Sequence, residues 1–220
     1  METVTTDQMA EIDERVPEEY GITIGRLMEN AAYQLAAFIR DEIETNEVTV
    51  FAGTGNNGGD ALAAARRLSL WGYDIEVVLA DRDLDGQRKE ELMILEQLDV
   101  PIKTHEPEQT YDVALDGLIG YNLEGDPHHP FDTMIAAVNE HETIISIDVP
   151  TGVDADTGER ASPAVEPDHT VTLAMPKQGL QEQTAGKIWV ADISIPPAAY
   201  ETFGFTGDIF TDRSLVRYRP

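Results

Sequence analysis

Apolar residues at Met9, Ile12 and Val16, preceded by Thr5 and Gln8 at the spacing of a capping box, predict a short helix that Pro17 ends. A longer stripe follows. Ile24, Leu27, Met28, Ala31, Ala32, Leu35, Ala36, Ile39 and Ile43 recur at three- and four-residue steps, the mark of an amphipathic helix whose Met and Leu side chains belong to a core rather than to a cofactor box. The period then changes. Short apolar runs at 48–52, 75–80, 111–115, 143–147, 170–174 and 188–190 read as strands. Between them lie helical patterns at 60–70, at 85–98 with Asp85 as N-cap, and at 131–139. This alternation predicts an α/β fold with a mostly parallel sheet and helices on both faces.

No repeat, low-complexity tract or Pro/Gly linker divides the 220 residues, and segment 161–167 reads as a surface loop, so one domain over 1–220 is expected. Cysteine is absent, which excludes disulfides, thiolate metal sites and Cys nucleophiles. No apolar run approaches the roughly 18 residues that span a bilayer, and the N-terminus is acidic, so a soluble cytoplasmic protein without a membrane partner is expected. Charge changes the picture more. Acidic residues number 42 against 15 basic ones, a net charge of −27, and only Lys89, Lys103, Lys177 and Lys187 are lysines. Such a surface repels itself unless concentrated salt screens it to roughly 3 Å, so a halophilic, high-salt cytoplasm is expected. The same charge opposes nucleic acid as a partner.

In parallel sheets ligands bind beyond the carboxyl ends of the strands, and three strand ends carry candidate chemistry. Gly53-Thr54-Gly55-Asn56-Asn57-Gly58-Gly59-Asp60 follows the first strand, Asp116 and Gly117-Leu118-Ile119-Gly120 the third, and Asp148-Val149-Pro150-Thr151-Gly152 the fourth. Gly53, Gly55 and Gly58 match G-x-G-x-x-G, with Asp81 available as a ribose-binding acid, so an NAD-dependent oxidoreductase is one reading. Against it, Asp60 is expected at the positive end of the following helix, where a pyrophosphate would sit. A P-loop is excluded because no Lys-Ser or Lys-Thr follows the glycines. Asn56 and Asn57 either satisfy turn geometry or, with Asp116 and the Thr151 hydroxyl, form an oxygen-only cage for a monovalent cation. Asp148 either caps its turn or transfers protons. His128 and His129 read as solvent-exposed, with no third ligand spaced for a metal. Lys177 stands for either a cofactor-phosphate contact or a surface salt bridge.

The ordered segments 55–60, 116–126 and 148–152, with Ala64-Ala65-Arg66-Arg67-Leu68 after the first and Leu27-Met28-Glu29-Asn30-Ala31 ahead of it, resemble the NAD(P)HX epimerase family over about residues 8–195. The resemblance implies a three-layer αβα sandwich, Rossmann-like and mostly parallel, with two N-terminal helices. It implies repair of hydrated nicotinamide cofactor by interconversion of the R and S forms of NADHX or NADPHX at C6, with functional coupling to an ADP- or ATP-dependent dehydratase. A homodimer and one potassium ion per subunit also follow from it. By motif, Asn56, Asn57, Gly58, Gly59, Asp60, Gly120, Tyr121, Asn122, Leu123, Glu124, Gly125, Asp126 and Asp148 would contact the substrate, and Asn57, Asp116 and Thr151 would hold potassium. Ala61 stands where the family usually has glycine, Thr54 where proline or lysine is common, and Thr151 where serine is common. At 220 residues the chain is expected to be the stand-alone epimerase.

Expelling the C6 hydroxyl gives an iminium-like cation that water attacks from either face, so a carboxylate that stabilises the cation and shuttles the proton is needed. Asp148 is the first candidate for that role and Asp60 the second. A non-catalytic binding module is the remaining alternative, disfavoured by the three retained acids and the negative surface.

Overall fold

The computed structural model describes residues 1–109, 111–121, 123, 125–205 and 209–220. Eight strands, β1 (Glu47–Ala52), β2 (Asp74–Leu79), β3 (Ile102–Thr104), β4 (Val113–Gly117), β5 (Thr143–Ile147), β6 (His169–Leu173), β7 (Lys187–Ala191) and β8 (Leu215–Tyr218), form one sheet in the order β3-β2-β1-β4-β5-β6-β7-β8. All neighbours are parallel except β7 and β8. The direction of strand succession reverses between β1 and β4, which opens a crevice at their carboxyl ends.

Alternation along the strands splits the core between two faces. Val50, Ala52, Leu115 and Ile145 pack with residues of α1 (Thr6–Tyr20), α2 (Ile24–Glu42), α3 (Asn56–Leu70) and α4 (Gly86–Gln97). Phe51, Val78, Ala114 and Ile144 pack on the other face with Met134, Ile135 and Val138 of α5 (Phe131–Val138). The result is the three-layer αβα arrangement. Two short helices, α6 (Glu182–Ala185) and α7 (Ala198–Glu201), lie near the C-terminal strands. No described helix is long and apolar enough to cross a membrane.

Several boundaries differ from the sequence expectation. Helix α1 has the predicted capping box, but it continues past Pro17 to Gly21 at φ +66°. Pro17 lacks its own N–H, yet its carbonyl still accepts from Gly21 N at 3.1 Å and closes the last turn. Helix α3 starts at Asn56, four residues earlier than expected, because the intervening glycines are close-packing positions rather than turn residues. A Cβ on Gly59 would overlap Met28 of α2, and one on Gly58 would overlap the Gly53 carbonyl. Strand β4 runs through Asp116 instead of stopping before it. Asp85 is the residue before α4, but its side chain makes no cap hydrogen bond and pairs with Arg88 instead. Segment 161–167 includes buried Ala164 and Val165, so it is only partly a surface loop.

A side chain at Gly53 would run into the Leu118 carbonyl where the β1–α3 and β4 loops meet. Gly53→Ala should therefore lower stability by about 1–3 kcal/mol in urea unfolding, from overpacking.

Candidate active site

A cavity of ≈650 Å³ opens at the switch point, walled by α1, α2, the start of α3 and the segments after β4, β5 and β6. Its polar side gathers Asp13, Asp60, Asp148 and Lys177. Its apolar side is built from Met9, Ile24, Leu27 and Met28, so part of the stripe assigned to the core faces the cavity.

Asp148 leaves β5 with φ +63°, a conformation that costs an L-residue energy and persists only when its surroundings enforce it. Here β6 enforces it. Asp148 N donates to the Val171 carbonyl at 2.9 Å, while Leu173 N at 3.0 Å and Thr172 Oγ1 at 3.2 Å donate to its Oδ1. Lys177 Nζ donates to the same oxygen and to the Leu173 carbonyl at 3.0 Å. Lys177 is only 1% exposed, so its salt bridge is not a surface one: it is the buried counter-charge of Asp148 on the cavity wall.

Asp60 is the fifth residue of α3, one turn in and facing inward, and not at the helix start. The anion-binding N-terminus, capped by Gly55 without a side-chain hydrogen bond, is therefore not blocked by it. Burial pushes the Asp60 pKa well above the usual carboxylate range, and the neighbouring Asp148 and Asp13 push the same way against the pull of Lys177. Asp13 rises too, by burial, while the Tyr121 hydrogen bond and Lys177 oppose the shift.

Beneath the cavity Asp116 is fully buried in β4 opposite Ser146 of β5. Its carboxylate accepts from Ser146 Oγ at 2.8 Å, Thr151 N at 3.0 Å, Thr151 Oγ1 at 2.7 Å and Leu118 N at 3.2 Å. Four donors explain why a strand can carry this acid, although burial still raises its pKa. Next to it in the crevice, Asn57 has both side-chain polar atoms buried and without a hydrogen-bond partner among the described residues.

The chain matches the family of YjeF-related protein N-termini over residues 24–179. It belongs to that family. An NAD(P)H-hydrate epimerase of Dehalogenimonas lykanthroporepellens is 38% identical, over 91% of this chain and 85% of its own length. One from Cenarchaeum symbiosum is 37% identical over 83% and 92%. A bifunctional NAD(P)H-hydrate repair enzyme of Archaeoglobus fulgidus is 33% identical over 95% of this chain, which spans 45% of that relative. The crystal structure of yeast YNL200c superposes with a TM-score of 0.83 at 28% identity, covering 99% of this chain and 100% of the other.

Of the positions carried over to the YjeF-type site, Asn56, Asn57, Asp60, Gly120, Tyr121, Leu123, Asp126 and Asp148 line the cavity. Gly58 and Gly59 instead pack inward, Gly125 forms an exposed turn at φ +73°, and Asp116 and Thr151 lie behind the wall. Asn122 and Glu124 fall outside the described residues. Ala61 directs its methyl at Gly117 inside the fold, so it leaves the cavity clear. Asp81 is exposed, binds Asp83 N at 2.9 Å and does not line the cavity. His128 and His129 are exposed at the cavity mouth. One site residue has no role in the sequence reading: Asp13 is signalled only by its position four residues after Met9 on the apolar face of α1, whereas Lys177 is singled out there but not as the partner of Asp148.

Removing one partner of a buried ion pair leaves the other uncompensated. Lys177→Met should lower stability by about 3–5 kcal/mol in urea unfolding at neutral pH.

Proposed function

We propose that this chain is an NAD(P)H-hydrate epimerase, interconverting the R and S forms of NADHX or NADPHX at C6 so that a dehydratase acting on the S form can consume both. Family membership and the epimerase names of relatives at 37–38% identity support the activity. The observation that carries it to chemistry is the cavity itself, where Asp13, Asp60 and Asp148 face the ammonium of Lys177 at the sheet's switch point. With Asp60 holding its proton more tightly than an ordinary carboxylate and Asp148 held by Lys177, the cavity sets a proton donor beside a fixed carboxylate, which suits a reaction whose intermediate is a cation.

Asp60 is the proton carrier in this reading, because burial raises its pKa and makes it hold its proton more tightly than an ordinary carboxylate. Its proton goes to the C6 hydroxyl, the C6–O bond breaks and water leaves, and the positive charge is shared with the ring nitrogen. Water then adds to either face of C6 and returns a proton to Asp60, so the substrate changes only its configuration. Asp148 stabilises the cation. Three donors, Lys177, Thr172 and Leu173, converge on its Oδ1, which makes Asp148 a fixed charge with the second oxygen left for substrate. The order of the two acids is thus the reverse of that expected from sequence.

A potassium ion fits the residues beside this site. Asn57 offers a buried amide oxygen with no hydrogen-bond partner among the described residues, Thr151 a hydroxyl and Asp116 the one carboxylate, a weakly charged all-oxygen set suited to a monovalent cation. When bound, such an ion supplies positive charge next to a dianionic substrate in a chain of net charge −27. That net charge also supports a high-salt setting.

The direct test mixes the protein, in concentrated KCl, with R-NADHX and an S-specific dehydratase and follows NADH absorbance. Recovery faster than spontaneous epimerisation is expected, and no acceleration by the folded protein would sink the assignment. Asp60→Asn should slow turnover roughly 10²–10⁴-fold. Wild-type turnover should fall as pH rises through the raised pKa of Asp60, since the reaction needs its proton. Stability follows the same sign: the contribution of a carboxyl with a raised folded pKa is full below its unfolded pKa and lost as pH rises through the folded one. The melting temperature of Asp60→Asn should therefore gain on wild type with rising pH, read by calorimetry. For the cation, KCl should raise the melting temperature more than choline chloride at equal ionic strength, and Asn57→Ala should abolish that difference.

A further inference from the structure

Helix α1 lies ahead of the glycine, Asp116 and Asp148 segments after the strands, yet it forms a wall of the cavity. Its placement is tightly specified. Val4 N donates to the Pro176 carbonyl at 3.0 Å and Gln178 N to the Val4 carbonyl at 2.9 Å, a parallel bridge that sets Val4 beside Lys177. Thr6 N and Oγ1 both donate to the Asp156 carboxylate, at 2.8 and 2.6 Å. The entry to α1 is thereby locked to the segment that carries Lys177, and Met9 and Asp13, one turn apart on the helix, are delivered to the cavity together.

Asp13 meets Tyr121 there. Tyr121 Oη donates to Asp13 Oδ2 at 2.9 Å, a hydrogen bond with an acidic acceptor in a partly buried setting. The Tyr121 ring has the Lys177 ammonium 6.0 Å from its centroid. Tyr121 follows Gly120 in the segment after β4, and both line the cavity. One aromatic ring therefore stands between helix α1 and the ion pair that holds Asp148. A carboxylate on the apolar face of a helix is costly to bury, and α1 would pack on Met9, Ile12 and Val16 without it.

We propose that Asp13 is a positioning residue for substrate binding: by accepting the Tyr121 hydroxyl it fixes the Tyr121 ring as the wall against which the substrate is seated, facing Asp60 and Asp148. The role rests on the epimerase reading above. Asp13 acts through Tyr121, so the two residues form one functional unit and their effects are not additive. The acceptor oxygen is what matters, and an amide in its place preserves it.

The test uses the coupled R-NADHX assay on Asp13→Ala, Tyr121→Phe, the double variant and Asp13→Asn, with circular dichroism and melting temperature confirming that each is folded. Asp13→Ala and Tyr121→Phe should each raise KM roughly 10-fold with kcat within about threefold, the loss of one charge-assisted hydrogen bond read as ground-state positioning. The double variant should be no worse than either single one, and Asp13→Asn should recover most of the loss. Additive effects in the double variant, or an Asp13→Asn variant as poor as Asp13→Ala, would overturn the proposal. Tyr121→Phe with wild-type KM would overturn it even if Asp13→Ala fails to fold. A wild-type chain that does not accelerate NADH recovery would instead overturn the epimerase reading, and this role with it, so the two failures are told apart by the wild-type control.

Discussion

The ammonium of Lys177 is the charge that allows the crevice to exist. Three acidic side chains around one cavity disfavour one another's ionisation in a medium of low dielectric, and burial raises the pKa of Asp60 and Asp13 further. A cation at their junction offsets some of that cost and ties Asp148 to the end of β6. The backbone on either side of the same lysine, at Pro176 and Gln178, bonds Val4, so the placement of α1 and the electrostatics of the site share one segment. Asp116 has the corresponding role in the layer below. Its four donors join β4, β5 and the two loops beyond them, while the Asn57 side chain has no hydrogen-bond partner among the described residues.

The layered architecture is legible because β1, β2 and β4 to β7 contain short apolar runs and α2 is strongly periodic, so burial and sequence pattern coincide. What escaped was structure whose pattern is set by something other than burial. Strand β3 has three residues, none of them fully buried, and β8 is an edge strand in which Arg217 lies against Trp189. The start of α3 was hidden by glycines, which are poor helix formers chosen here because α2 and the β1 loop approach too closely for a side chain. The apolar run stops before Asp116 because a charge breaks the hydrophobic pattern, which cannot see the four donors that let β4 carry it.

The site was legible to the extent that its residues are contiguous. The segments 55–60, 116–126 and 148–152 each follow one strand, and parallel topology brings the ends of adjacent strands together. Topology thus places Asp60, Gly120 and Asp148 correctly and says nothing of residues that arrive from elsewhere. Lys177 comes from beyond β6 and Asp13 from the first helix, and their meeting with Asp148 and Tyr121 is a tertiary event with no local signature. Glycine motifs were legible as places but not as roles: Gly58 and Gly59 act by packing, while the cavity surface is made by the asparagines beside them.

The bridge between Val4 and Lys177 joins the segment ahead of the first helix to one that lies beyond β6. Synthesis runs from the N-terminus, so α1 leaves the ribosome well before β6 and must wait for the segment after that strand before it has its docking edge. Until then Met9, Ile12 and Val16 lack the packing they find in the finished fold, and no acid of the crevice has its counter-charge. Closing so long a loop is entropically slow and comes late in folding. The crevice is therefore among the last parts of the molecule to be completed, because the counter-charge of Asp148 and the α7 residues that α1 packs on are all made after β6.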